Sequence, residues 1–266
     1  MTSHKNLIAY DNFEIFDDYQ SEIKYRIEKL KGCDQHINFI KKIYNKNNIN
    51  FLELGSGNSK LIFNLLNNNL LNIGYGIEIS ESRFNFAQKW KKDLMVENVI
   101  NINDDFLNLK NYDIKNIDVC FLVDLAFQFA EPINYKSEIK ILELIYQSLK
   151  NGGKIVLELD GCNKIIQNIK TTTKIWEEFG GDDPWRYSLW ECDYKKNNNF
   201  LKWKKTYISK DLSKTDFSEI VLKLYTKKTI KDLLLKVGFK KIKFYNDWFG
   251  NKFINDKSEF IVVATK

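Results

Sequence analysis

The sequence predicts an α/β fold: a mostly parallel sheet with helices on both faces, and a small antiparallel β cap inserted late in the chain. Three observations predict it. From residue 50 to about residue 159, short apolar runs alternate with segments of helical periodicity. That is the pattern of strand–helix–strand units, whose crossovers cover both faces of a sheet. A glycine turn, Gly55-Ser56-Gly57, joins the first run, Phe51 to Leu54, to the first helical segment. Beyond residue 185 the apolar residues alternate one by one, as they do in half-buried antiparallel strands.

With 266 residues and 31.5 kDa, the chain fits one large domain with an insertion. The reading divides it into a helical lid (1–45), a cofactor-binding core (46–184), the β cap (185–225) and a closing helix with strands (226–266). In the lid, Ile23, Ile27 and Leu30 recur at helical spacing between Asp17-Asp18 and Gly32, an acid start and a glycine stop. A second helix runs from about Asp34 to Tyr44, with Ile37, Ile40 and Tyr44 on one face. In the core, strands read at 50–54, 73–78, 98–103, 117–123 and 153–159, and helices at 59–68, 81–92 and 136–149. A helix ending between Trp176 and Gly181 follows, then the punctuation Gly180-Gly181-Asp182-Asp183-Pro184. Three antiparallel strands then carry Ser188, Trp190, Cys192 and Tyr194, next Leu201, Trp203 and Tyr207, and last Ile220, Leu222 and Leu224. The aromatic face of this cap reads either as the cover of a substrate pocket or as an ordinary amphipathic sheet packed on the core.

The chemistry starts at the glycine turn. A dinucleotide site of the G-x-G-x-x-G type wants glycine at position 60, where this chain has Lys60. Glu53 stands two residues before the first glycine, where its carboxylate would repel a pyrophosphate and suit a cation. Glu78 closes the next strand, at the spacing that grips ribose hydroxyls. A cofactor with a ribose and a positive charge but no phosphate satisfies both acids, and S-adenosylmethionine is such a molecule. Ligands of parallel α/β sheets sit beyond the carboxyl ends of the strands, and Glu53, Glu78, Asp105, Asp124 and Asp160 all fall at or just past those ends.

Glu53-Leu-Gly-Ser-Gly-Asn58, Gly76-Ile-Glu78-Ile-Ser80, Asp104-Asp105-Phe106, Asp124 and Gly152-Gly153-Lys154-Ile155-Val156 resemble, in order, the motifs of class I S-adenosylmethionine-dependent methyltransferases. Leu224 to Phe239 is similar to the helix and strand that close those domains, so the resemblance covers about residues 45 to 266. It implies a Rossmann-like fold with a seven-stranded sheet, S-adenosylmethionine as cofactor and S-adenosylhomocysteine as product. It implies that Glu53, Gly55, Ser56, Gly57, Asn58, Glu78, Ile79, Asp105, Phe106 and Asp124 form the cofactor site. Asp105 would accept the adenine amino group, with the Phe106 backbone reading the ring; either Asp104 or Asp105 could instead cap the next turn. N-terminal helices fold over the cofactor in such enzymes, so Tyr10 reads either as a cofactor contact or as helix packing, and Tyr19 better as packing. The late β insertion is similar to the caps of small-molecule methyltransferases acting on sugars, amines and other metabolites.

Methyl transfer from a sulfonium depends mainly on placing the acceptor, so two histidines in the whole chain do not argue against catalysis. Asp124, Asp160 and His36 are the candidate bases, with His36 on a helix flank where a surface role is the commoner one. Trp185 and Arg186 are the substrate-side candidates: Arg186 could clamp a phosphate bidentately or sit on a solvated strand edge. Asp124 does not begin the proline-containing motif of many enzymes that methylate nucleobase amino groups, because Pro132 and Pro184 lie too far away.

The four cysteines make no C-x-x-C pair, which argues against zinc; Cys120, inside an apolar run, reads as core. No apolar run approaches a membrane span and no signal peptide is evident, so the reading is a reduced, cytoplasmic protein. The net charge of +6 comes from dispersed lysines, which draw no stripe for a phosphate backbone. The favoured acceptor is therefore a small polar metabolite, nucleotide-linked and otherwise phosphorylated compounds included, with methylation at oxygen or nitrogen. RNA or protein methylation is the alternative; a nicotinamide oxidoreductase or a non-catalytic nucleotide-binding domain fits less well.

Overall fold

The computed structural model describes residues 14, 16, 18–133, 136–160, 172–179, 185–195, 197–255 and 259–266. Its larger sheet has seven strands in the order β10-β11-β5-β4-β1-β2-β3. β1 (Ile49–Leu54), β2 (Leu71–Glu78), β3 (Val99–Asn103), β4 (Ile117–Leu122) and β5 (Leu149–Leu159) run parallel. β11 (Phe260–Thr265) pairs antiparallel with both β5 and β10 (Lys240–Tyr245). The strand order reverses between β1 and β4, and a cleft opens at that point beyond the carboxyl ends of the strands.

The centre of this sheet is made by apolar runs that can be covered on both faces. All six residues of β4 are buried, and β1 exposes none of its side chains fully. Helices α3 (Lys60–Asn67), α4 (Glu81–Leu94) and α5 (Ser137–Ser148) connect these strands, within a residue or two of the predicted spans. A closing helix, α6 (Lys227–Val237), starts on a capping box between Thr226 and Thr229 and stops at Gly238, whose φ of 112° suits a residue without Cβ.

Among the described residues two helices come first, α1 (Tyr19–Gly32) and α2 (Asp34–Ile43). α2 buries Ile37, Phe39 and Ile40 as its periodicity predicts. α1 does not bury the face on which Ile27 lies: Ile27 is 48% exposed, while Glu22 and Arg26 are buried. The Arg26 guanidinium pairs with Glu22 and, at 2.8 Å, with Asp93 of α4, and it lies over the rings of Phe86 and Trp90. A paired cation on aromatic faces outcompeted the isoleucines for the interior.

The second sheet, inserted between β5 and α6, has four antiparallel strands in chain order. They are β6 (Thr172–Glu178), β7 (Trp185–Lys195), β8 (Phe200–Ser209) and β9 (Thr215–Lys223). The last three match the predicted alternation, and Cys192, Leu201 and Leu222 are buried on its inner face. The predicted helix ending at Trp176 to Gly181 is corrected to strand β6, which pairs residue for residue with β7 from Thr172 to Glu178. Seven residues are too few for periodicity to separate the two states, and the β-branched Thr172, Thr173 and Ile175 tip the balance towards a strand.

Candidate active site

The glycine turn positions the floor of the cleft. Gly55 and Gly57 have φ of +74° and +54°, which an L side chain adopts only with strain, and a Cβ on Gly55 would meet Ala126 Cβ at 3.0 Å. Strand β2 packs equally close, because a Cβ on Gly76 would come within 2.7 Å of Ser56 Oγ. The Asn58 side chain accepts the Lys60 backbone N–H, the first of α3, at 3.1 Å. Lys60, where a dinucleotide turn would have its third glycine, sends its ammonium to Asp124 at 3.3 Å.

The cleft above this turn has a volume of about 380 Å³, the size class of a small-molecule site. Every described residue that the sequence assigned to the cofactor lines it: Glu53, Gly55, Ser56, Gly57, Asn58, Glu78, Ile79, Asp105, Phe106 and Asp124. Tyr10 lies outside the described residues. Asp105 also caps the short helix that follows, accepting the Leu107 N–H at 2.8 Å, so the two readings of that residue coexist. Tyr19 is 57% exposed and does not join the lining.

Asp160 does not line the cleft. It is buried at the end of β5, where its backbone N–H donates to Gln128 at 2.7 Å, and burial with the nearby Glu259 charge raises its carboxyl pKa to about 6. Trp185 and Arg186 do not line it either. Trp185 packs 5.5 Å from the Tyr207 ring, and the exposed Arg186 holds its guanidinium 5.0 Å over Tyr187. His36 is a half-buried residue rather than a solvated one: its ring lies 4.3 Å from Trp248, and burial lowers its pKa to about 4.

The electrostatics are those of an acid-lined site. Glu53 is 2% exposed, one of its carboxylate oxygens has no partner, and burial raises its pKa to about 8, with Asp124 and Glu78 adding to the effect against Lys60. Glu78 is also pushed up by burial, opposed by the N–H groups of Ser80 and Gly57, which donate to it at 2.8 and 2.7 Å. Burial disfavours the Lys60 ammonium, but Asp124, Cys33 and Glu53 outweigh that and hold its pKa above the ordinary value. Asp124 and Leu125 both have positive φ, 50° and 69°, a strained turn of the kind that collects at functional sites. The half-buried Glu158 clamps it, accepting the Asp124 N–H and the Trp248 indole N–H, each at 2.8 Å.

Glu14, Tyr25, Lys29, Arg83 and Phe129 also line the cleft and were not assigned to it from the sequence. They come from the N-terminal segment, α1, α4 and the turn after β4, and only tertiary packing gathers them.

A family model described as a methyltransferase domain matches residues 45–209. The chain belongs to this family. The methyltransferase shares 15% identity with a structure titled as an S-adenosylmethionine-dependent methyltransferase from Clostridium acetobutylicum, over 92% of this chain and 98% of that one, with a TM-score of 0.72. It is similar to the CcbJ methyltransferase of Streptomyces caelestis, at 15% identity over 86% and 87% of the two chains and a TM-score of 0.71. CalS10, an amino pentose methyltransferase from Micromonospora echinaspora, gives 13% identity over 96% and 99%, with a TM-score of 0.59. At such identities the likeness is one of fold. No curated protein matches the methyltransferase.

Proposed function

We propose that this methyltransferase uses S-adenosylmethionine to methylate an oxygen or nitrogen of a small polar acceptor. One observation carries the cofactor assignment: the cleft at the strand switch point is lined by acids, and Glu53 keeps a buried carboxylate oxygen without a partner. A buried polar atom left without a partner costs about 1–3 kcal/mol, so the site is built for a ligand that brings a donor or a cation. Ser56 Oγ is buried and unpartnered on the same floor. An ammonium- and ribose-bearing cofactor fits this set, with Glu53 facing its positive charge and Glu78 its ribose hydroxyls.

S-adenosylmethionine supplies an activated methyl carbon to a nucleophile in line with the carbon–sulfur bond. The protein's part is to exclude water and hold the acceptor, which is worth on the order of 7–11 kcal/mol when placement is good. Asp124, 75% exposed on its strained turn, is the acid at the cleft able to take a proton from an acceptor. Lys29, and Lys60 beside its partner Asp124, are the lysines at the cleft that an anionic group would meet. The amino pentose acceptor of CalS10 supports the small-molecule class.

Calorimetric titration tests this reading. Micromolar binding of S-adenosylhomocysteine without binding of NAD is the expected result. The reverse pattern would remove the methyltransferase cofactor from the cleft and bring back the oxidoreductase alternative.

A further inference from the structure

Glu14 reaches the cleft from the N-terminal segment, outside every methyltransferase motif of the core. Its carboxylate is fixed from one side only. Oε1 accepts the Tyr25 hydroxyl at 2.8 Å and the Asn58 amide at 2.7 Å, while Oε2 is buried and has no partner. Glu14 also has a φ of 69°, which costs a residue with a Cβ about 1–3 kcal/mol unless the surroundings enforce it. Those surroundings are visible: Phe16 packs its ring 4.9 Å from Tyr25 and 5.8 Å from Phe86, anchoring the segment beside α1 and α4.

A merely structural latch would need none of this asymmetry. Two donors already hold Oε1, and a buried second oxygen would then only add a desolvation cost. The burial makes sense if a donor arrives at Oε2 from within the cleft that Glu14 lines with Glu53 and Glu78. Glu78 already spends one oxygen on Gly57 N–H and the other on Ser80 N–H, so a neighbouring acceptor is useful to a ligand with several donors.

Building on the cofactor assignment above, we infer that Glu14 is a further cofactor-binding residue, whose Oε2 accepts a hydrogen bond from the nucleoside cofactor. The donor is an N–H or O–H of that molecule, either its amino-acid ammonium or a ribose hydroxyl. Binding then also strengthens the tie between α1 and the glycine turn, because the same carboxylate joins Tyr25 of α1 to Asn58.

Glu14→Gln tests this with little change of shape. The Gln oxygen still accepts from Tyr25 and Asn58, but an amide N–H₂ replaces the accepting oxygen in the cleft. Calorimetry with S-adenosylhomocysteine is expected to show affinity weakened about tenfold or more, the usual effect of losing a hydrogen bond to a charged group. The melting temperature of the ligand-free protein should stay unchanged. 5′-Methylthioadenosine, which keeps the ribose and lacks the amino acid, identifies the donor. A loss confined to S-adenosylhomocysteine supports the ammonium, and an equal loss for both ligands supports a ribose hydroxyl. Unchanged affinity for both would reduce Glu14 to a latch and overturn the inference. Should Glu14→Gln fail to fold, Tyr25→Phe removes one of the two bonds that aim the carboxylate. A several-fold loss of S-adenosylhomocysteine affinity is expected there, and none overturns the inference. If the wild-type chain binds no S-adenosylhomocysteine, the cofactor assignment falls first and takes this inference with it.

Discussion

Glu53 shows how one side chain's surroundings set its task. It is buried, short of one partner, and titrates near pH 8 instead of 4.5. The folded chain thus binds this proton more tightly than the unfolded chain, so the contribution to stability is full below about pH 4.5 and fades as pH rises through 8. A cation placed against the carboxylate favours the ionised form. S-adenosylmethionine binding near pH 7 is therefore expected to release a proton, and affinity to rise towards pH 8. Calorimetry in buffers of different ionisation enthalpy measures the release, and Glu53→Gln should abolish it. Equal proton counts in wild type and Glu53→Gln would mean that Glu53 does not meet the ligand's charge. Glu53, Glu78, Asp105 and Asp124 were legible in the sequence because motif spacing fixes them on one short segment each, whereas Asp160 stands at a strand end but outside the cleft. Glu14, Tyr25 and Arg83 were not, because no local signal states which distant helix lies over a cleft.

At the scale of elements, the strands of the larger sheet were legible because a strand covered on both faces must be apolar throughout, as β4 is. The face of α1 was not. Its isoleucines mark a helix, but its buried side is the Arg26–Glu22–Asp93 cluster on the rings of Phe86 and Trp90, which looks like ordinary surface charge when read as a string. The two readings differ in energy. Removing one partner of a buried ion pair typically costs about 3–5 kcal/mol, whereas an exposed helical pair is worth about 0.5 kcal/mol or less. Arg26→Ala is expected to lower the melting temperature by on the order of 10 °C. The double replacement Arg26→Met with Glu22→Met should recover much of the loss, since it leaves no unpaired buried charge. A melt of Arg26→Ala within about 2 °C of wild type would mean that the cluster is solvated, and would return α1 to a hydrophobic-face reading.

The described residues form two sheets, and Gln128 joins them. Gln128 is fully buried in the turn after β4, beside the Phe129 that lines the cleft. Its side-chain oxygen accepts Asp160 N–H at 2.7 Å, and its amide donates to the carbonyls of Asp160 at 3.0 Å and Lys223 at 2.9 Å. Asp160 is where the chain leaves the larger sheet and Lys223 is where β9 ends, so one side chain holds both ends of the insertion. Lys223 and Tyr225 reinforce the return point by meeting Glu138 of α5, at 2.8 and 2.6 Å. Replacing Gln128 by leucine keeps the volume and strands three backbone groups, each costing on the order of 1–3 kcal/mol when left unsatisfied. Because those groups belong to the junction and not to the strands of the larger sheet, the damage should be uneven. Hydrogen exchange of Gln128→Leu is expected to speed up at the amides of β7 to β9 and at Asp160, with β1 and β4 staying close to wild type. Uniform acceleration across both sheets would instead make Gln128 an ordinary core residue, and the second sheet no more separable than any other part of the fold.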